Sequence, residues 1–253
     1  MSQITSLVFS VLVQLYQVFG NLGIALIVFT AILRSLLLPI TYKSIKAQKK
    51  MRELQPELNK LKNKHSDKKK LQKAQMELYQ KYNVNPLAGC LPQIVQIGIL
   101  IVLYRVLIDF LGQDTVNGTA IDPYFLWMDL RSPDKSLILP VVVAGSQLIF
   151  SLMVLPGGEV RDVIPNKSKS KKVQEENKKE EGMADMAASM QKQMIFMMPV
   201  MTGFFASRFP SGLALYWLAT TVFSIGQQLA ISGPGGLVIY TQRAIVFVKS
   251  KIG

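Results

Sequence analysis

The chain has 253 residues, of which 49% are hydrophobic, yet it carries a formal net charge of +13. Apolar and basic residues in such a chain must be segregated along the sequence, the pattern of a membrane protein. Cys90 is the single cysteine and His65 the single histidine, and no Gly-rich phosphate loop or serine nucleophile elbow is present. An intrachain disulfide and a Cys/His zinc cluster are thereby excluded, no cofactor is expected, and enzyme chemistry is disfavoured.

Residues 1–20 read as an interfacial amphipathic helix. Ile4, Leu7, Val8, Val11, Leu12, Leu15 and Phe19 recur at helical spacing, with Gln3, Gln14 and Gln17 among the other positions. The stretch lacks the basic start and small-residue cleavage site of a signal peptide. Gly20 and Asn21 then turn the chain into the following span; a plain extension of that span is the competing reading.

Residues 21–40 form the first expected span, and Arg34 sits inside its apolar run LGIALIVFTAILRSLLLPI, Leu22 to Ile40. A guanidinium within a span costs roughly 2.5 to 3.5 kcal/mol on insertion scales, so it marks a functional site by default. Snorkelling is the alternative, since Ile40 lies about 9 Å of helix rise away. Helical side chains lean toward the N-terminus, which points Arg34 back into the bilayer and favours a hydrated cavity.

Residues 41–86 read as a basic helical hairpin. Met51, Leu54, Leu58 and Leu61 recur at three- and four-residue steps, as do Leu71, Ala74, Leu78 and Tyr82, on either side of His65-Ser66-Asp67. Asp67 suits a cap for the second helix, and Pro56 starts a new helical segment. A positive-inside anchor is the plainer role, although about forty residues exceed what a topology signal needs. A docking surface for anionic headgroups or ribosomal RNA is the other.

The second span, 87–111, holds a lone amide at Gln96; Arg105, four residues before Asp109, suits an ion pair or headgroup contact near its outer end. A loop, 112–136, leads to the third span, 137–155, with another lone amide at Gln147. Residues 156–193 are a charged loop followed by a Met-rich helix, because Met183, Met186, Met190, Met194, Met197 and Met201 recur at three- and four-residue steps. Core packing and an adaptable surface for hydrophobic partners both account for that stripe. The fourth span, 194–207, covers only about 21 Å against a hydrocarbon core of about 30 Å, a mismatch that thins a bilayer. A turn near Phe209, a fifth span at 213–231 and a tail at 232–253 complete the chain.

The fold class expected is therefore an all-α membrane protein with five transmembrane helices. Thirteen Lys/Arg fall between Thr41 and Pro86 and eight between Pro156 and Gln193, against none in residues 1–20. The positive-inside bias puts those two segments in the cytoplasm, with the N-terminus outside and the C-terminus inside.

Four strings in order resemble the YidC/Oxa/Alb membrane protein insertases: AILRSLLLPIT at Ala31–Thr41, NPLAGCLPQIVQ at Asn85–Gln96, FLWMDL at Phe125–Leu130 and MMPVMTGFFASRFPSGLALYW at Met197–Trp217, with Gln227-Gln228 behind. The resemblance covers Leu22 to Gln228 and suits the compact bacterial form. It implies a groove, open to cytoplasm and lipid, that receives the short translocated segment of a nascent membrane protein while the client helix slides into lipid. Arg34, Thr30, Gln96, Gln147, Trp217 and Thr221 are the groove positions so implied; Met190, Met194, Met197, Met201 and Tyr216 are the hydrophobic client contacts. For each polar residue an interhelical hydrogen bond is the plainer alternative.

The implied partners are nascent membrane proteins, the lipid bilayer of the bacterial cytoplasmic membrane, and the ribosome, signal recognition particle receptor and Sec translocon. Thr221 stands where the family commonly has Asn, Gly98 where a Pro is common, and the tail is short in cations, with Arg243, Lys249 and Lys251. Two rival readings stand beside the insertase. A transporter would use Arg34 as counter-charge, but no inverted repeat is evident. A scaffold would act through its exposed hairpin alone.

Overall fold

The computed structural model describes residues 3–64, 68–85, 91–113, 115–116, 118–154 and 196–238. Helix α1 (Gln3–Phe19) is followed by α2 (Leu22–Leu36), and Gly20, at φ +64°, makes the turn between them. Asn21 caps α2 through its side-chain oxygen, which accepts from the Ile24 N–H at 3.1 Å.

The run from Leu22 to Ile40 is not one straight helix. It ends at Leu36, and α3 (Leu38–Glu53) leaves at 68° to it. Pro39 stands in the first turn of α3, where its missing N–H costs nothing; within a continuous helix its ring would meet the Ser35 carbonyl. The first straight helix thus ends at Leu36, four residues before the span boundary expected at Ile40, and Arg34 belongs to the last turn of α2.

Helix α4 (Gln55–Lys64) begins after a break at Leu54, just ahead of Pro56, and α5 (Lys68–Lys81) packs beside it. Leu54, Leu58 and Leu71 are buried, and the Tyr82 hydroxyl donates to Glu57 at 2.9 Å. The His65–Asp67 break and its expected cap lie outside the described residues.

Helix α6 (Leu91–Leu111) is long and apolar enough to cross a bilayer by itself; α7 (Ile138–Val154) and α8 (Phe196–Ala206) are shorter apolar helices, and α9 (Ser211–Ser232) closes the bundle. The loop before α7 departs from an all-α chain. It contains two small antiparallel hairpins, β1 (Thr115–Val116) with β2 (Thr119–Ala120), and β3 (Tyr124–Phe125) with β4 (Met128–Asp129). Two-residue strands are too short for alternation to reveal them in sequence.

The main core gathers Leu12 and Tyr16 of α1, Leu26 and Phe29 of α2, Leu103, Leu107 and Phe110 of α6, and Leu213 and Tyr216 of α9. Phe110 meets the Tyr16 ring edge-on at 5.5 Å. One face of α1 is therefore docked on the bundle, while Ile4, Leu7 and Val18 stay exposed. The Tyr16 hydroxyl donates to the Ala120 carbonyl at 3.0 Å and accepts from the Asp122 N–H at 2.9 Å, tying α1 to the hairpin loop. Phe125 of β3 lies over Gly23, occupying the place a Cβ would take. A second cluster, Met128, Leu139, Val143, Ala206 and Ala214, joins β4 to α7, α8 and α9.

Candidate functional site

Arg34 is half-buried at the C-terminal turn of α2, where the carbonyl end of the helix favours a cation. Its Nη2 donates to Oε1 of Gln96 on α6 at 2.7 Å, within the range of charge-assisted bonds. Nε2 of Gln96 donates in turn to the Tyr216 hydroxyl on α9 at 3.1 Å. Three helices thus meet in a chain of guanidinium, amide and phenol. Among the described residues no carboxylate pairs with Arg34.

Gln96 is suited to the middle place because an amide carries both an acceptor and donors. It holds the guanidinium without neutralising it. A formal positive charge on neutral partners in a poorly solvated place attracts an anionic group: at 4 Å the attraction is about 4 kcal/mol for an effective dielectric near 20.

Thr30, one turn before Arg34, is 1% exposed, and its hydroxyl donates to the Leu26 carbonyl at 2.7 Å. That bond stays within α2. Gln147 and Thr221 meet each other, the threonine hydroxyl lying 3.4 Å from Gln147 Oε1 and 2.9 Å from the Trp217 carbonyl. These three positions form a separate group between α7 and α9, with Trp217 half-buried on the second core cluster. The groove residues expected from sequence therefore fall into two sets.

Tyr216 is placed differently from the expectation of a hydrophobic client contact. It is 1% exposed and its hydroxyl belongs to the Arg34 network. Met197 and Met201 are exposed on α8, at 52% and 41%, whereas Met190 and Met194 lie outside the described residues. Sequence reasoning also passed over Gln227 and Gln228 as site residues, although both are buried on α9. Adjacent amides in an apolar helix were the signal for them.

The class so defined is a helical bundle with a cation held on neutral groups between apolar helices. The family described as 60Kd inner membrane protein matches residues 14–234, and the chain belongs to that family. Over 225 residues it is 37% identical to membrane protein insertase YidC 2 of Bacillus anthracis, covering 86% of this chain and 75% of that one. It is 35% identical to membrane protein insertase YidC of Fusobacterium nucleatum, covering 85% and 88% of the two chains. Membrane protein insertase MisCA of Bacillus subtilis is 34% identical, with 85% and 71% covered. The crystal structure of an active YidC insertase with its first transmembrane domain resolved shares the fold, with a TM-score of 0.64 at 24% identity, covering 91% of this chain and 47% of that one.

Proposed function

We propose that this protein is a multi-pass membrane protein insertase and chaperone whose Arg34 receives the hydrophilic translocated segment of a client. One observation carries the reading: the guanidinium is bonded to the neutral Gln96, with no carboxylate partner among the described residues. A client carboxylate entering there gains an ion pair that offsets part of its desolvation. The client helix then leaves the site sideways, and its burial in lipid drives the reaction without nucleotide hydrolysis.

A short helix supports the reading. At 1.5 Å per residue α2 covers about 22 Å before the bend at Leu37, less than a hydrocarbon core of about 30 Å. A bilayer fitted to it is thin beside the site, which shortens the path of a polar segment. Exposed Met197 and Met201 on α8 offer an adaptable apolar surface to the departing client helix. Exposed Lys43, Lys49, Lys50, Lys60, Lys70, Lys73 and Lys81 on α3 to α5 give an anionic partner such as a ribosome a docking surface.

The test is reconstitution of the chain and of Arg34→Ala into liposomes with a single-span client carrying a short acidic N-terminal tail. Protease protection of the tail above empty liposomes, reduced in Arg34→Ala, is the expected result. Absence of protection with folded wild-type protein overturns the insertase reading; equal protection in the variant overturns the role of the charge.

A further inference from the structure

Among the described residues, Asn83, Leu126 and Leu137 are the non-glycine positions with a left-handed backbone. Asparagine tolerates that conformation through local hydrogen bonding; leucine has nothing to set against its steric cost. Both leucines fall in the loop between α6 and α7, at φ +54° and +59°, and both hold their side chains outward, 73% and 55% exposed. In water such a residue is unfavourable twice, through its backbone and through its apolar surface. Strain of this kind persists only where the surroundings over-determine it, and it points to a use for the side chain.

The surroundings are firm. Leu126 occupies the turn of the β3–β4 hairpin, whose other residues are fixed from below: Phe125 lies over Gly23 of α2, Leu130 is in the main core and Met128 in the second cluster. Asn21 Nδ2 donates to the Tyr124 carbonyl at 3.2 Å. Trp127 is 53% exposed, yet its indole N–H donates to the Asp134 carboxylate, which also accepts from Ser136 and Leu139. One carboxylate thereby ties the hairpin tip to the turn that presents Leu137. The indole has its polar atom satisfied and its apolar body outward.

Tyr124, Leu126, Trp127, Leu137 and Ile138 are all exposed, and the apolar surface continues into the exposed Val141 and Val142 of α7. At its rim stand the exposed Arg131 and Lys135. The nearby Asp122 and Asp129 are turned to the backbone N–H groups of Tyr124 and Arg131, at 2.9 Å each. Aromatic and aliphatic side chains bordered by cations match the boundary of a bilayer, rings at the top of the acyl chains and cations at the phosphates. A protein partner would not account for the continuity with α7, an apolar helix whose outer side faces lipid in a multi-pass protein.

We propose that the β3–β4 tip, Leu126 and Trp127 together with Leu137, is a phospholipid anchor inserted at the bilayer interface beside α7. The inference rests on the reading of the chain as a multi-pass membrane protein. It has a consequence for the Arg34 site, because the same hairpin holds the start of α2 through Phe125 and Gly23. Arg34 lies about 16 Å of helix rise beyond Gly23, so a tip held at the headgroups sets the guanidinium about half-way into a hydrocarbon core of about 30 Å.

The chain has two tryptophans, so Trp217→Phe leaves Trp127 as the single fluorophore. The full chain carrying that change is placed in nanodiscs of phosphatidylcholine and phosphatidylglycerol, unbrominated or brominated at the headgroup end or the far end of the acyl chains. Bromine at the headgroup end is expected to lower Trp127 emission about twofold, more than bromine at the far end, and acrylamide in the buffer to have little effect. Should Trp217→Phe not fold, the difference in quenching between the wild type and Trp127→Phe reads the same ring. Leu126→Asn, which suits the left-handed turn, keeps the fold and is expected to weaken bromine quenching and strengthen acrylamide quenching.

Quenching by acrylamide and not by bromine places the tip in water and overturns the proposal. Quenching by neither means that protein covers the tip, a second copy or another chain, and overturns it as well. Unchanged quenching in Leu126→Asn overturns the role of the strained leucine. None of these readouts uses a client, so a tip in water on an active insertase and a tip in lipid on an inactive one are distinguished.

Discussion

Gln96→Leu separates the amide's role from the charge it holds. The substitution conserves volume but removes the acceptor of the 2.7 Å bond from Arg34 and the donor of the 3.1 Å bond to Tyr216. A hydrogen bond to a charged group contributes about 1.5–3 kcal/mol in general, and a neutral one between membrane helices about 0.6 kcal/mol. Arg34 and Gln96 are both half-buried, so water replaces part of the first term. The expected loss is about 1–2 kcal/mol. Tyr216→Phe removes only the neutral bond and should cost about 0.6 kcal/mol. Because Gln96→Leu has already removed that bond, the double variant should be more stable than the sum of the singles by a similar amount. Reversible unfolding of the four proteins in the same mixed micelles reads the cycle. Additivity to within about 0.3 kcal/mol, or no loss in Gln96→Leu, refutes the relay from Arg34 through Gln96 to Tyr216. In the insertion assay Gln96→Leu should fall between wild type and Arg34→Ala, since the charge remains but its direction is freed.

Gly23→Ala places a methyl group where the Phe125 ring lies and is expected to cost about 1–3 kcal/mol as overpacking, with partial rescue by Phe125→Leu; unchanged thermal stability would refute the close approach. Asp134 accepts from the Leu139 N–H at 2.8 Å and the Ser136 hydroxyl at 2.6 Å, fastening the start of α7. Burial pushes its carboxyl up, but hydrogen bonds from Ser136, Leu139 and Trp127 outweigh burial and hold it below the ordinary carboxylate value. Its folded value being depressed, its stabilisation is present above the ordinary carboxylate value and is lost as pH falls through the folded one. Asp134→Asn should therefore cost about 1 kcal/mol at neutral pH and flatten the acid limb of the stability curve; an unchanged acid limb refutes it.

Arg34 and Gln96 were legible because a charge or an amide in an apolar run has no use for lipid. Their meeting was not, since nothing in spacing relates position 34 to position 96. Tyr216 stood among the hydrophobic client contacts through the resemblance alone; its hydroxyl acquires meaning only when α6 lies beside α9. The bend at Leu37 was latent in Pro39, but a proline in a first turn is compatible with both a start and a continuation, and the length of the apolar run favoured continuation. The β-hairpins escaped because they hold two residues a strand. Thr220, Ser224, Gln228 and Ser232 recur at every fourth position of α9, but the period was hidden among hydroxyls that also serve their own helix, as Ser224 does toward the Thr220 carbonyl at 2.8 Å.

The bend at Leu37 makes α3 a lever whose fulcrum adjoins Arg34. A tilt of about 10° there moves Thr41, about 6 Å along the arm, by only about 1 Å, and its hydroxyl keeps its bonds to the Leu37 and Leu38 carbonyls because they sit at the fulcrum. The same tilt carries Arg52, about 22 Å out, by about 4 Å, which neither of its bonds, to the Met153 carbonyl and the Ser232 hydroxyl, survives. The helix parts from its neighbours at the tip first, as a page lifts from its free edge, and the contacts nearest Arg34 are the last to give way.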